Sequence, residues 1–176
     1  MIMRVRLLAL FLVLLQGAVC SSSAMAEDDD EYEPKQWQEI EAPFPPANVR
    51  GNLLPLYVSA ATANKFYIDG ASLSVGADGV IRYVMVVETP EGGRNVTFEG
   101  MRCDARARRI YASGRLDGTW SKARKSEWAR VQDAYANRQH AALFLEYFCP
   151  NGIAVRSAAE ARDALVRGGH PDVVRR

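Results

Sequence analysis

Residues 80–89 (VIRYVMVVET) constrain this chain more than any other segment. They are β-branched and aromatic, and the middle of the run is apolar at both alternating sets of positions. That pattern predicts a strand at the centre of a sheet. Shorter apolar runs flank it at residues 56–59, 65–69 (KFYID), 72–75, 94–103 and 109–116. The connections are brief and rich in turn formers: Gly76-Ala77-Asp78-Gly79, Pro90-Glu91-Gly92-Gly93 and the polar run 104–108. Asp-Gly is a hairpin signal. Parallel neighbours need long crossovers, so consecutive strands joined this closely predict an antiparallel meander, one face of which needs covering.

The C-terminal third supplies a cover. Residues 119–149 contain neither proline nor glycine, and 137–148 (NRQHAALFLEYF) carry apolar residues at 141, 144, 145 and 148, which is helical spacing. Pro150 ends that helix. Ser157-Ala158-Ala159-Glu160 is a capping box that starts a second helix through about residue 167. Gly168 and Gly169 terminate it and Pro171 forbids its continuation. Residues 120–132 read equally as strand or helix start. The expected fold is α+β: an antiparallel meander of about five or six strands, packed on one face by two or three C-terminal helices.

Residues 1–26 stand apart from this domain. Arg4 and Arg6 precede an unbroken apolar run at 7–15, and Ala24-Met25-Ala26 forms a small-x-small cleavage pattern before Glu27. Charge, apolar run and cleavage site in that order predict a cleaved export signal and a periplasmic protein. The apolar run falls short of the ~20 residues a membrane-spanning helix needs, and no longer one follows. Cys20 follows the apolar run, but Val19 before it is not the small residue that lipid attachment favours, which argues against a lipoprotein.

Cleavage leaves two cysteines, Cys103 and Cys149. In an oxidising compartment an even pair predicts a disulfide, here closing a long loop. The chain-entropy model assigns about 4 kcal/mol to such a closure. A spacing without Cys-x-x-Cys does not match a zinc site, and no metal or cofactor is expected.

Charge is unevenly distributed. The 176 residues carry a net charge of +1, too little for a nucleic-acid binder read from bulk charge. Residues 27–33 (EDDDEYE) hold six acids, and 27–50 read as an acidic, proline-rich extended lead-in, with Trp37 and Phe44 as docking residues. The globular domain is placed at 51–168 and a tail at 169–176. Residues 94–130 hold ten Lys and Arg against four acids. The simplest reading is a solvated basic surface. The sharper one is a docking face for an anionic envelope component or protein.

Few groups carry chemistry. His170 is expected in an exposed tail. His140 lies beside the apolar stripe of the main helix, where a lone histidine is more often packed and hydrogen-bonded than catalytic. No Gly-x-Ser-x-Gly elbow and no phosphate-binding glycine loop is present. Asn95-Val96-Thr97 is formally a glycosylation acceptor, but it lies inside an expected strand of a chain whose export signal looks bacterial. No catalytic residue is assigned. The function expected is a non-enzymatic binding or accessory module. The alternatives are a periplasmic enzyme with a site around His140 and a structural subunit of an envelope complex.

Several segments together resemble a known family. They are Asn52-Leu53-Leu54-Pro55-Leu56-Tyr57-Val58, Phe66-Tyr67-Ile68-Asp69, and the run from Ser72-Leu73-Ser74-Val75 through Gly79-Val80-Ile81-Arg82-Tyr83. Further on come Asn95-Val96-Thr97-Phe98-Glu99-Gly100-Met101-Arg102-Cys103, Asp117-Gly118-Thr119-Trp120-Ser121 and Tyr147-Phe148-Cys149-Pro150. In this order they resemble the cryptic neisserial protein (CNP-like) family of small exported bacterial proteins, over roughly residues 37–167. The resemblance implies an exported domain and supplies no catalytic residues.

Overall fold

The computed structural model describes residues 36–49, 51–134 and 137–173, all within the unit Gln36–Arg176. The export signal and the acidic run 27–33 lie outside the described residues.

Among the described residues eight strands form one sheet: β1 (Leu53–Leu56), β2 (Lys65–Asp69), β3 (Ser74–Val75), β4 (Val80–Glu88), β5 (Arg94–Arg102), β6 (Ala107–Gly114), β7 (Trp120–Lys122) and β8 (Ala129–Arg130). The order is β1-β2-β4-β5-β6-β7, with every pairing antiparallel. β3 shares the β2 side of β4, and β8 pairs with β6. The meander is therefore as expected, but it has eight strands rather than five or six. β7 and β8 both come from residues 120–132. They are too short to show a period of two, which is why that segment looked ambiguous.

β4 is buried from Val80 through Val86, and its two faces point into two different clusters. Ile81, Tyr83 and Met85 join Phe66, Ile68 and Met101 beneath the helices. Val84 and Val86 join Phe98 and Val49 on the opposite face. A strand that is apolar on both faces requires cover on both.

The first cover is helical. α1 (Arg138–Ala142) runs straight into a π-helix, Leu143–Phe148. A short 3₁₀ turn at Pro150–Gly152 follows, and then α2 (Ala158–Arg167). Ser157 caps α2 by accepting from the Glu160 N–H at 3.2 Å, and Gly168 closes it in the left-handed region. Leu143, Phe148, Ala161 and Leu165 fill the space against the sheet. Cys103, at the end of β5, is bonded to Cys149 with Cα atoms 5.5 Å apart, so one covalent link ties the sheet to the π-helix. No helix among the described residues is long and apolar enough to cross a membrane.

The second cover is residues 36–49, which lie as an extended strap over the other face. Phe44 packs edge-on to Phe98 at 5.3 Å and to Trp120 at 6.3 Å. Ala47 and Val49 are buried. Trp120 Nε1 donates to Pro45 O at 2.6 Å, and Arg94 donates to Val49 O at 2.7 Å. The expectation of helices on a single face thus captured half of the arrangement. Proline at three of residues 43–46 keeps the strap from extending the sheet as a paired strand, so side chains hold it.

Candidate functional site

His140 does not open onto a cavity. It is 4% exposed and sits behind the sheet against Glu99 of β5, which is 2% exposed. Its Nε2 lies 2.8 Å from Glu99 Oε2. A carboxylate can only accept, so Nε2 carries the shared proton. Tyr83 donates to the same oxygen at 3.1 Å, and Thr97 donates to Oε1 at 2.7 Å. Burial alone would raise the Glu99 pKa. The His140 charge and hydrogen bond, with Thr97 and the Arg108 charge, outweigh it and hold the pKa below the ordinary value. The same surroundings, burial first, push Tyr83 well above the usual tyrosine range. His140 Nδ1 is the one buried side-chain polar atom without a hydrogen-bond partner among the described residues.

Glu99 belongs to no recognised motif, but alternation along β5 marks it. Thr97, Glu99, Met101 and Cys103 are spaced by two, so a carboxylate had to share the face of Met101 and Cys103. Such a group needs a partner from the covering layer, and the histidine of the main helix is the candidate. Cys103 and Cys149 are joined, so no free thiolate stands near His140.

His170 also departs from expectation. It is buried, with Nε2 3.1 Å from Glu160 Oε1, and its Nδ1 accepts the Asp172 N–H at 3.2 Å. Its backbone N–H donates to Glu146 O at 2.7 Å. Gly168 and Gly169 turn the chain back over the π-helix, and His170 latches the tail there. A glycine pair read only as a stop signal conceals that return.

Within the strap, Glu39 gathers donors from β6 and from the loop before β8. Arg109 Nη1 and Trp128 Nε1 donate to Oε2, and Tyr111 donates to Oε1 at 2.6 Å. Burial, then Glu39, raise the Tyr111 pKa far beyond its usual value. Asp78 accepts twice from Arg82, and Arg82 in turn donates to Ile40 O at 2.6 Å. The Arg102 guanidinium stacks 3.5 Å from the Trp37 ring. A cleft of about 380 Å³ remains between Phe44, Tyr111 and Lys122. Three of the ten basic residues of 94–130 pair with carboxylates inside the chain: Arg94 with Glu88, Arg102 with Asp104 and Arg109 with Glu39.

A larger concavity lies elsewhere, on the helical layer. A groove of about 1040 Å³ runs along the π-helix beside Phe144 and Leu145, bounded by Arg106 and the returning tail. Its rim concentrates unusual backbone. Arg106 (φ 46°) and Asn151 (φ 55°) are two of the three non-glycine residues with positive φ among the described residues. Gly152, Gly168 and Gly169, also at positive φ, line the same groove. π-Helical turns and left-handed non-glycine residues are both costly and both collect at functional sites. Among the described residues no cluster of three or more His, Cys, Asp or Glu is placed to hold a metal ion.

Fold and site together define a small α+β domain with a polar cluster sealed in its apolar core and an open groove of mixed lining on the helical layer. The CNP1-like family model matches residues 32–166, well over half of the 176-residue chain. The chain belongs to the CNP1-like family. No curated protein and no solved structure matches it.

Proposed function

We propose that this protein is an exported, non-enzymatic binding module of the bacterial cell envelope, and that its ligand enters the groove along Leu143–Phe148. The observation that carries the reading is the convergence, on one concavity, of a π-helix and two left-handed non-glycine residues. By contrast, the acid–base pair His140–Glu99 is sealed in the core and bound to Tyr83 and Thr97. A ligand pocket that is mostly apolar with a few placed polar groups is the usual form of a binding site. Export is supported by the order of Arg4, Arg6, the apolar run and Ala24-Met25-Ala26.

The test is native mass spectrometry of the protein taken gently from its own host, alongside Leu145→Asp. Leu145 is 43% exposed, so the charge reaches the groove without entering the core. The reading expects a mature chain beginning at Glu27 with a bound small molecule that Leu145→Asp loses. A bare wild-type chain, or a molecule retained equally by the variant, overturns it.

A further inference from the structure

We propose that the groove takes a single-chain amphiphile with an anionic head, and that Arg106 binds the head. The proposal rests on the groove being the binding site and adds the chemistry of what it holds.

The turn between β5 and β6 puts Arg106 there. Arg106 N–H donates to Cys103 O at 3.1 Å, closing a turn over Asp104 and Ala105, and Arg106 itself follows in the left-handed region. The register pairs Arg102 with Ala107, so Arg106 is the last of four loop residues, and a left-handed position such as this one is ordinarily filled by glycine. An arginine accepts the steric cost of a Cβ in that conformation, and its side chain is what glycine lacks. The guanidinium sits 5.2 Å from the Phe144 ring at the groove wall. Its Nε reaches Val131 O at 3.4 Å. Among the described residues it pairs with no carboxylate, unlike Arg82, Arg94, Arg102, Arg109 and Arg167. A half-buried guanidinium keeps its forked donors free for an oxyanion.

The rest of the groove suits an acyl chain. Phe144, Leu145, Tyr57 and Val173 give it an apolar lining, and its volume matches the upper end of the ~300–1,000 Å³ typical of small-molecule sites. Gly152, Gly168 and Gly169 present bare backbone at the edge, where a chain can approach closely. Glu146 lines the same groove but is exposed to solvent, which screens its charge. A cation at one wall, with Phe144, Leu145, Tyr57 and Val173 along the groove, matches the two ends of an anionic amphiphile.

The experiment titrates the full chain with dodecanoate, dodecanol and dodecyltrimethylammonium, reading methyl NMR shifts of Leu145 and Val173, with Val84 on the far face as control. Arg106→Gly is the decisive variant, because it removes the guanidinium and at the same time relieves the left-handed strain. We expect dodecanoate to shift the groove methyls and bind at least tenfold more tightly than the other two. Arg106→Gly should raise the melting temperature yet lose that preference, and Arg106→Lys should keep part of it. Equal binding of all three probes at the same methyls, or an unchanged preference in Arg106→Gly, overturns the anionic head and leaves the groove as a binding site. No shift of the groove methyls with any probe overturns the amphiphile together with the apolar groove as its site.

Discussion

His140 Nε2 and Glu99 Oε2 lie 2.8 Å apart with both residues almost wholly excluded from solvent, joining the main helix to the middle of β5. Removing one member of such a pair strands the other in the core, at a typical cost of about 3–5 kcal/mol. His140→Ala should therefore lower unfolding free energy in urea by about 3 kcal/mol. It should do so without affecting ligand binding in the groove, because His140 does not line it. Loss of binding with unchanged stability would show that the histidine serves the ligand instead.

The same carboxylate predicts acid sensitivity. Glu99 titrates in the folded protein below its ordinary value. Its contribution to stability is complete above the unfolded carboxylate pKa, about 4.3, and is lost as pH falls from there through the lower folded value. Urea midpoints of the wild type should fall steeply below about pH 4. Glu99→Gln, which does not titrate, should be less stable at neutral pH and show a shallower acid limb. Parallel acid limbs would contradict a folded Glu99 pKa below the unfolded one.

The Cys103–Cys149 link spans 46 positions. Replacing both by serine, which removes the loop constraint from the unfolded chain, should cost about 4 kcal/mol. The measurement is thermal unfolding of the double variant beside the oxidised wild type. A loss below ~1 kcal/mol would show that the sheet and π-helix hold together without the bond.

Glu39 is the anchor of the strap, accepting from Arg109, Tyr111 and Trp128. Glu39→Ala leaves those donors unsatisfied at a half-buried site, an effect of about 1–3 kcal/mol. Because the strap is held by side chains, the loss should appear as local opening. Cleavage by a protease within residues 36–49 should quicken several-fold while the sheet core keeps its amide protection. Global unfolding in step with cleavage would contradict a separable strap.

Much of the fold was legible because β4 and its neighbours have strong alternation and short turns, and because Ser157-Ala158-Ala159-Glu160 and Gly168 mark both ends of α2. The family was legible from ordered segments such as Asn95–Cys103. The candidate groove was not. The apolar spacing at 141, 144, 145 and 148 fits an α-helix, and nothing in LFLEYF announces the π-helical turn that leaves Leu145 on the surface. Arg106 looked like one more charge in a basic run, since a left-handed φ at an arginine has no sequence signature. Glu39 was counted in the acidic lead-in for the same reason: its partners Arg109, Tyr111 and Trp128 lie about 70 to 90 positions away. Long-range pairing of this kind emerges only when the strap crosses the sheet.

The central claim is that the groove on the helical layer is where this protein binds. It is tested most directly by hydrogen–deuterium exchange of the chain with and without a small-molecule extract of its host's envelope. The account predicts new protection confined to Leu143–Phe148 and the returning tail at 168–173, absent in Leu145→Asp. Protection appearing only in the strap and on the sheet face beneath it, or none anywhere, would contradict it.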